Sequence, residues 1–219
     1  MAHYLKVRWS DAYMYESNKG PAPGFEPEDW TFGDKSGTAY RKPYKTISGN
    51  LTDVRIKDVP KMGLQFSLSL KQGEDFFVIQ LPVLTEKGAV DSYLQDLTRQ
   101  LVNMKKGEFY ELNPYAFKNE EKDKTYRGIS VKNESGDKVD KSFSFQWKDN
   151  PDGDIPAIVW EEVVGGKVKP NFNEQTKFFY NKLEEVIAAQ FPEEAKAETT
   201  SATPAKEEVE EDFSEDLPF

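Results

Sequence analysis

The chain has 219 residues, no cysteine, one histidine and a formal net charge of −10 at pH 7. That inventory excludes disulfides and thiol chemistry, and it argues against a zinc centre, which needs more than the one histidine, and against a histidine general base, since His3 lies two residues from Met1. Aromatic residues are 13% and charged residues 31% of the chain, so one domain of ordinary size can still bury a core.

No apolar run approaches the roughly 20 residues that cross a bilayer. The start, Met1-Ala2-His3-Tyr4-Leu5-Lys6, lacks the apolar core of a signal peptide, so a soluble, cytoplasmic protein is expected.

In chain order, Leu5, Val7 and Trp9 alternate with Lys6, Arg8 and Ser10, the pattern of a strand with one buried face. Residues 11–45 break the alternation with Gly20-Pro21-Ala22-Pro23-Gly24 and Pro27, and read as a long aromatic-rich loop. Its end, Tyr40-Arg41-Lys42-Pro43-Tyr44-Lys45, interleaves rings with cations. That combination can stack on unpaired bases while neutralising phosphates.

Ile47, Gly49 and Leu51 share one parity and Val54 and Ile56 the other, which predicts a strand with a bulge. Leu64, Phe66, Leu68 and Leu70 alternate with polar residues and define a half-buried strand. A turn at 71–74 leads to a third, with Phe77, Ile79 and Leu81 inward and Phe76 outward. Val90, Leu94, Leu97, Leu101 and Met104 then recur at helical spacing, predicting a helix over 88–106. Strands follow over 108–113 and 125–132. Three strands, a helix and two strands is the order of an OB-fold, a five-stranded Greek-key barrel. On its outward parity stand Arg55, Lys57, Lys71, Phe76, Tyr126 and Lys132.

Phe143, Phe145 and Trp147 predict a further strand with its rings in the core. The aspartate-rich loop at 148–154 reads as a turn. An EF-hand register would put Lys148 and Val159 where carboxylate ligands are required. Ile158, Val159 and Trp160 suggest a short apolar strand, and Phe172 to Gln190 a helix capped by Asn173 and ended before Pro192.

The acidity is concentrated at the end. Residues 193–219 hold ten of the 39 acidic and two of the 29 basic residues, which leaves residues 1–192 at about −2. Glu193 to Lys206 has the composition of a flexible spacer. It leads to an acidic run that ends Asp216-Leu217-Pro218-Phe219. That terminus resembles bacterial and phage single-stranded-DNA-binding proteins, whose acidic tails end in a similar Asp-Asp-Ile-Pro-Phe tip.

The resemblance implies binding and protection of single-stranded DNA in replication, recombination or repair, with no catalysis and no cofactor. The long ordered body and short spacer depart from the cellular family and favour a phage-encoded protein, monomeric or dimeric rather than tetrameric. The expected organisation is a mainly β (α+β) domain over 1–192, its OB core at about 46–133, and a flexible tail over 193–219. DNA contacts are expected from Tyr40, Arg41, Lys42, Tyr44, Lys45, Arg55, Lys57, Lys71, Phe76, Tyr126 and Lys132. Asp212, Phe213, Glu215, Asp216, Leu217, Pro218 and Phe219 would recruit a polymerase, helicase or nuclease, and the tail would compete with DNA for the groove.

Three other readings are an adaptor that binds protein alone, a metal-dependent nuclease, and a DNA mimic, against which the near-neutral charge of residues 1–192 counts. The nuclease pattern of Pro-Asp followed by Glu-x-Lys fails on order, because Glu120-Glu121-Lys122 precedes Pro151-Asp152.

Overall fold

The computed structural model describes residues 1–8, 11–163 and 165–192. The N-terminal strands are β1 (Ala2–Val7), β2 (Met14–Asn18), β3 (Glu26–Phe32) and β4 (Lys35–Tyr44). A meander follows: β5 (Ile47–Val59), β6 (Gly63–Gln72) and β7 (Asp75–Pro82). Helix α1 (Ser92–Leu101) precedes the hairpin β8 (Phe109–Asn119) and β9 (Lys124–Asn133). A ribbon of β10 (Val159–Val163) and β11 (Lys167–Asn171) leads into α2 (Asn173–Gln190). The protein is therefore mainly β with two helices, as the patterning implies. No helix among the described residues is long and apolar enough to cross a membrane.

Nine strands form one mixed sheet in the order β3-β4-β2-β1-β7-β6-β5-β8-β9. The five strands read as an OB core lie together as the run β7-β6-β5-β8-β9, with α1 between β7 and β8 in the chain, but they do not form the expected five-stranded Greek-key barrel. The run is instead part of a larger, open sheet. The far side of β7 pairs in parallel with β1, Leu5 opposite Ile79, and the chain then adds β2, β4 and β3 beyond it.

Residues 11–45 are thus not a loop but mostly β2, β3 and β4. The prolines and glycines that suggested a loop mark its turns. Ala22 accepts a backbone hydrogen bond from Phe25 in one, and Gly33, at φ 57°, makes the next. Pro27 itself lies in β3, at the sheet edge, where a missing amide hydrogen costs least.

Strand β5 changes partner along its length. Its start pairs with β8, Ile47 opposite Leu112, and the rest pairs with β6 across a register shift between Leu51 and Asp53. This is the bulge that the change of parity demanded. Gly49 lies against the Lys71 backbone, whose carbonyl oxygen would sit 2.6 Å from any Cβ there, so a larger residue would push the two strands apart.

The buried apolar residues form one cluster, from Leu5 and Met14 through Val54, Phe66, Leu68 and Ile79 to Leu97, Val131 and Phe179. Fully burying such side chains stabilises by about 1.5–3 kcal/mol each. The helix expected over 88–106 is shorter, because Asp91 caps it: its carboxylate accepts from Tyr93 N at 2.9 Å and Leu94 N at 3.3 Å.

Two further expectations are corrected. Residues 143–147 form only isolated bridges, Phe145 with Ile155 and Trp147 with Asn150. Phe143 and Phe145 do pack, against Phe178 and Phe179 of α2, but Trp147 is exposed. The short strand expected around Ile158, Val159 and Trp160 is present as the ribbon strand β10, with Trp160 at the surface. Asn173 does not cap α2; it is the first helical residue, and Asn171 Oδ1 accepts from its backbone nitrogen at 2.9 Å. Trp9 lies outside the described residues.

Candidate nucleic-acid interface

Because paired residues share a face of a sheet, the register assigns the expected contacts to two surfaces. The first is the outward side of β6, β7 and β1. Lys71 lies opposite Phe76 and its ammonium sits 5.5 Å from the ring centre, while Phe76 also lies opposite Ala2. Tyr4, opposite Val78, and Lys6, opposite Gln80, continue this face across β1. Phe76 and Tyr4 are 37% and 57% exposed, so both rings are available to a ligand. Arg55 and Lys57 on β5 are exposed on the same parity, although Arg55 is paired with Asp53 at 2.5 Å.

The basic and aromatic stretch at 40–45 does not act as a unit, because strand alternation separates its members. Arg41 turns outward, with its guanidinium 4.6 Å from the Tyr15 ring centre and 2.9 Å from the Glu28 carboxylate. Arg8 reaches the other oxygen of Glu28 at 2.7 Å. Tyr44 lies on the opposite face, donates to Glu16 at 3.2 Å and meets Phe77 edge to face. Lys42 covers Tyr44, Tyr40 is half-buried, and Lys45 is exposed past the strand end.

The second surface is the β8–β9 hairpin. Strand β5 pairs with β8 only from Phe109 to Leu112, so beyond it the hairpin extends as an arm. Along the arm Tyr115, Phe117 and Tyr126 form a continuous stack. Their centroids are 6.2 and 5.3 Å apart and their planes within 24° and 20°. Phe117 is 55% exposed. Lys124 sits over Tyr126 and Lys141 over Tyr115. Lys132, further along β9, pairs with Glu111 at 3.4 Å. Of this group the sequence singled out Tyr126 and Lys132. Tyr115, Phe117, Lys124 and Lys141 were missed, although Tyr115 and Phe117 alternate as strand residues should; the strand expected over 108–113 stops two residues short of Tyr115.

The stack is held from below. Asp96 of α1, buried, accepts from the Tyr115 hydroxyl at 3.0 Å and pairs with Lys141 at 2.5 Å. Burial, reinforced by the Asp96 charge, pushes the Tyr115 hydroxyl up to about 12, so it remains a donor throughout the physiological range. Gly128 leaves room for this cluster: a Cβ there would run into the Asp96 carboxylate and stand 2.6 Å from the Tyr115 oxygen.

Among the described residues no group of three or more His, Cys, Asp or Glu could hold a metal ion. The tail residues expected to recruit partners, from Asp212 to Phe219, lie outside the described residues. No protein-family model, curated protein or solved structure matches the chain.

Proposed function

We propose that this protein binds single-stranded DNA without a sequence motif, protecting it during replication, recombination or repair. The observation that carries the reading is the stack of Tyr115, Phe117 and Tyr126 on an extended arm bordered by Lys124 and Lys141. Rings stack on any base and lysines follow any phosphate backbone. The strand order supports it as well: β5-β6-β7-α1-β8-β9, with β5 joined to both β6 and β8, follows the OB-fold course. In that fold, oligonucleotides lie on the second and third strands and on the loop between the fourth and fifth. Those elements are β6, β7 and the β8–β9 arm, which carry the two surfaces above. The acidic terminus would recruit replication or repair enzymes and compete with DNA for these cations.

The test is fluorescence anisotropy of a labelled oligo-dT and of its duplex at several salt concentrations. Preference for the single strand, with affinity falling as salt rises, is the expected result. Phe117→Ala should weaken binding about tenfold, since a base stacked on an aromatic side chain contributes roughly 1–3 kcal/mol. Absence of binding at low salt, with residues 207–219 removed, would overturn the reading.

A protein-binding adaptor is the second reading, and one observation favours it. The ribbon β10–β11 places Trp160, Val168 and Pro170 at the surface, with Trp160 opposite Pro170 and with Trp160 64% and Val168 58% exposed, a patch better suited to a protein than to a phosphate backbone.

A further inference from the structure

Beside the stack is a notch of about 310 Å³, lined by Gln100, Tyr115, Phe117, Ser130, Lys138, Val139 and Lys141. This is the small end of the range for ligand pockets. One wall is aromatic and continuous with the exposed Phe117 ring, so a base stacked on the arm can reach the notch without leaving its neighbour.

The polar groups of the notch are unequal. The Gln100 amide uses both donor hydrogens, on the Ile129 carbonyl at 2.6 Å and the Asp96 carbonyl at 3.0 Å, and its oxygen accepts from Val131 N at 3.0 Å. The Tyr115 hydroxyl is committed to Asp96. The Asp96 carboxylate is in turn occupied by Tyr115 and Lys141. Three groups keep capacity. Lys141 has three donor hydrogens and uses one on Asp96. The Lys138 ammonium and the Ser130 hydroxyl have no hydrogen bond or ion pair among the described residues. The groups without a partner of their own are thus one ammonium and one hydroxyl, with a second ammonium partly free, while the Gln100 oxygen already accepts from Val131 N and the Asp96 carboxylate from Tyr115 and Lys141.

We propose that this notch takes one unpaired keto-bearing base, thymine or guanine in DNA, stacked on Phe117, with its carbonyl oxygen accepting from Lys138 or Lys141. An amino group in the same position, as on cytosine, would point at cations that cannot accept a hydrogen bond. Binding would be independent of sequence motif yet biased by base chemistry. The inference rests on the proposed single-strand binding and adds a subsite to it.

Uracil and cytosine make a clean comparison, since uracil carries an oxygen at position 4 where cytosine carries an amino group, and the two rings have the same size and shape. Full-length protein is titrated with oligo-dU and oligo-dC at pH 8. The expected result is about tenfold tighter binding of oligo-dU, the effect of one hydrogen bond from a charged donor. Lys138→Met keeps the aliphatic stem. Paired with Lys141→Met, it should reduce the ratio to near one, with the larger loss on oligo-dU. Phe117→Ala should weaken both oligonucleotides together. Equal affinity of the unaltered protein for the two would overturn the subsite and leave single-strand binding intact. A ratio that survives the double substitution would place the discrimination elsewhere and overturn it as well. Failure to bind either oligonucleotide would remove the function on which it rests.

Discussion

Gln100 bonds to the backbone of Val131 as a tenth strand would. Its side-chain oxygen accepts from Val131 N at 3.0 Å, and its nitrogen donates to the Ile129 carbonyl at 2.6 Å. Strand β9 ends the sheet, and an uncovered edge is a template for pairing with another chain. One amide on α1 satisfies two backbone groups there, and Val139 N adds a third bond to the Val131 carbonyl at 2.9 Å. Gln100→Ala should destabilise by about 1–3 kcal/mol, because buried partners are left unpaired. Urea unfolding measures the loss, and light scattering should show self-association through the uncovered edge.

Gly128→Ala tests the support under the aromatic stack. The added methyl would collide with Asp96 and Tyr115. Overpacking of this kind costs on the order of 1–3 kcal/mol. A lower midpoint of thermal unfolding, together with a changed near-ultraviolet circular dichroism signal from the displaced tyrosine, is the expected outcome.

Asp91 gives a pH dependence whose sign can be worked out. Burial raises its carboxyl above the ordinary aspartate value, and the hydrogen bonds from Tyr93 and Leu94 offset this only in part. The folded state therefore holds the proton more tightly than the unfolded state, and stability falls as pH rises from the ordinary aspartate value through the raised one. Asn also caps helices well. Asp91→Asn should remove this slope, gaining stability relative to the unaltered protein as pH rises from about 3 to 7. Asp91→Ala loses the cap and should cost about 1 kcal/mol. Unfolding curves of the three proteins across that range decide it.

Three tyrosines predict the alkaline limit. Burial is the leading cause that pushes the hydroxyls of Tyr93, Tyr110 and Tyr115 from 10.0 up to about 12. Their contribution is intact below the unfolded value of about 10 and is lost as pH rises from there towards 12. The last part of the tyrosinate absorbance should therefore appear together with the loss of circular dichroism, rather than before it.

Leu68 sits at the centre of the sheet, opposite Val54 on one side and Ile79 on the other, with no exposed surface. Leu68→Ala should cost about 2–5 kcal/mol, measured by denaturant unfolding. On the proposed function, the same substitution should leave single-strand affinity in the absence of denaturant unchanged, since the residue faces away from both surfaces.

Strands β5 to β9, the bulge in β5 and both helices were legible in the sequence because each has a face in the core, and burial imprints a period of 2 or 3.6 on side-chain polarity. Residues 11–45 were not legible as strands. Far from the main core, β3 and β4 bury little on either face, so polarity does not alternate and the turn residues dominate the reading. The same limit applies to the surfaces. Alternation placed Phe76 and Tyr126 outward, and composition showed where the acid lies. What composition could not show is that the 40–45 stretch divides between two faces, or that β1 extends the sheet beside β7. Nor could it show that Asp96, Tyr115, Gly128 and Lys141, from α1, β8, β9 and the chain that follows, meet beneath one stack. Those contacts join residues distant in sequence, and only the register of the folded sheet and the seat of α1 on its edge bring them together.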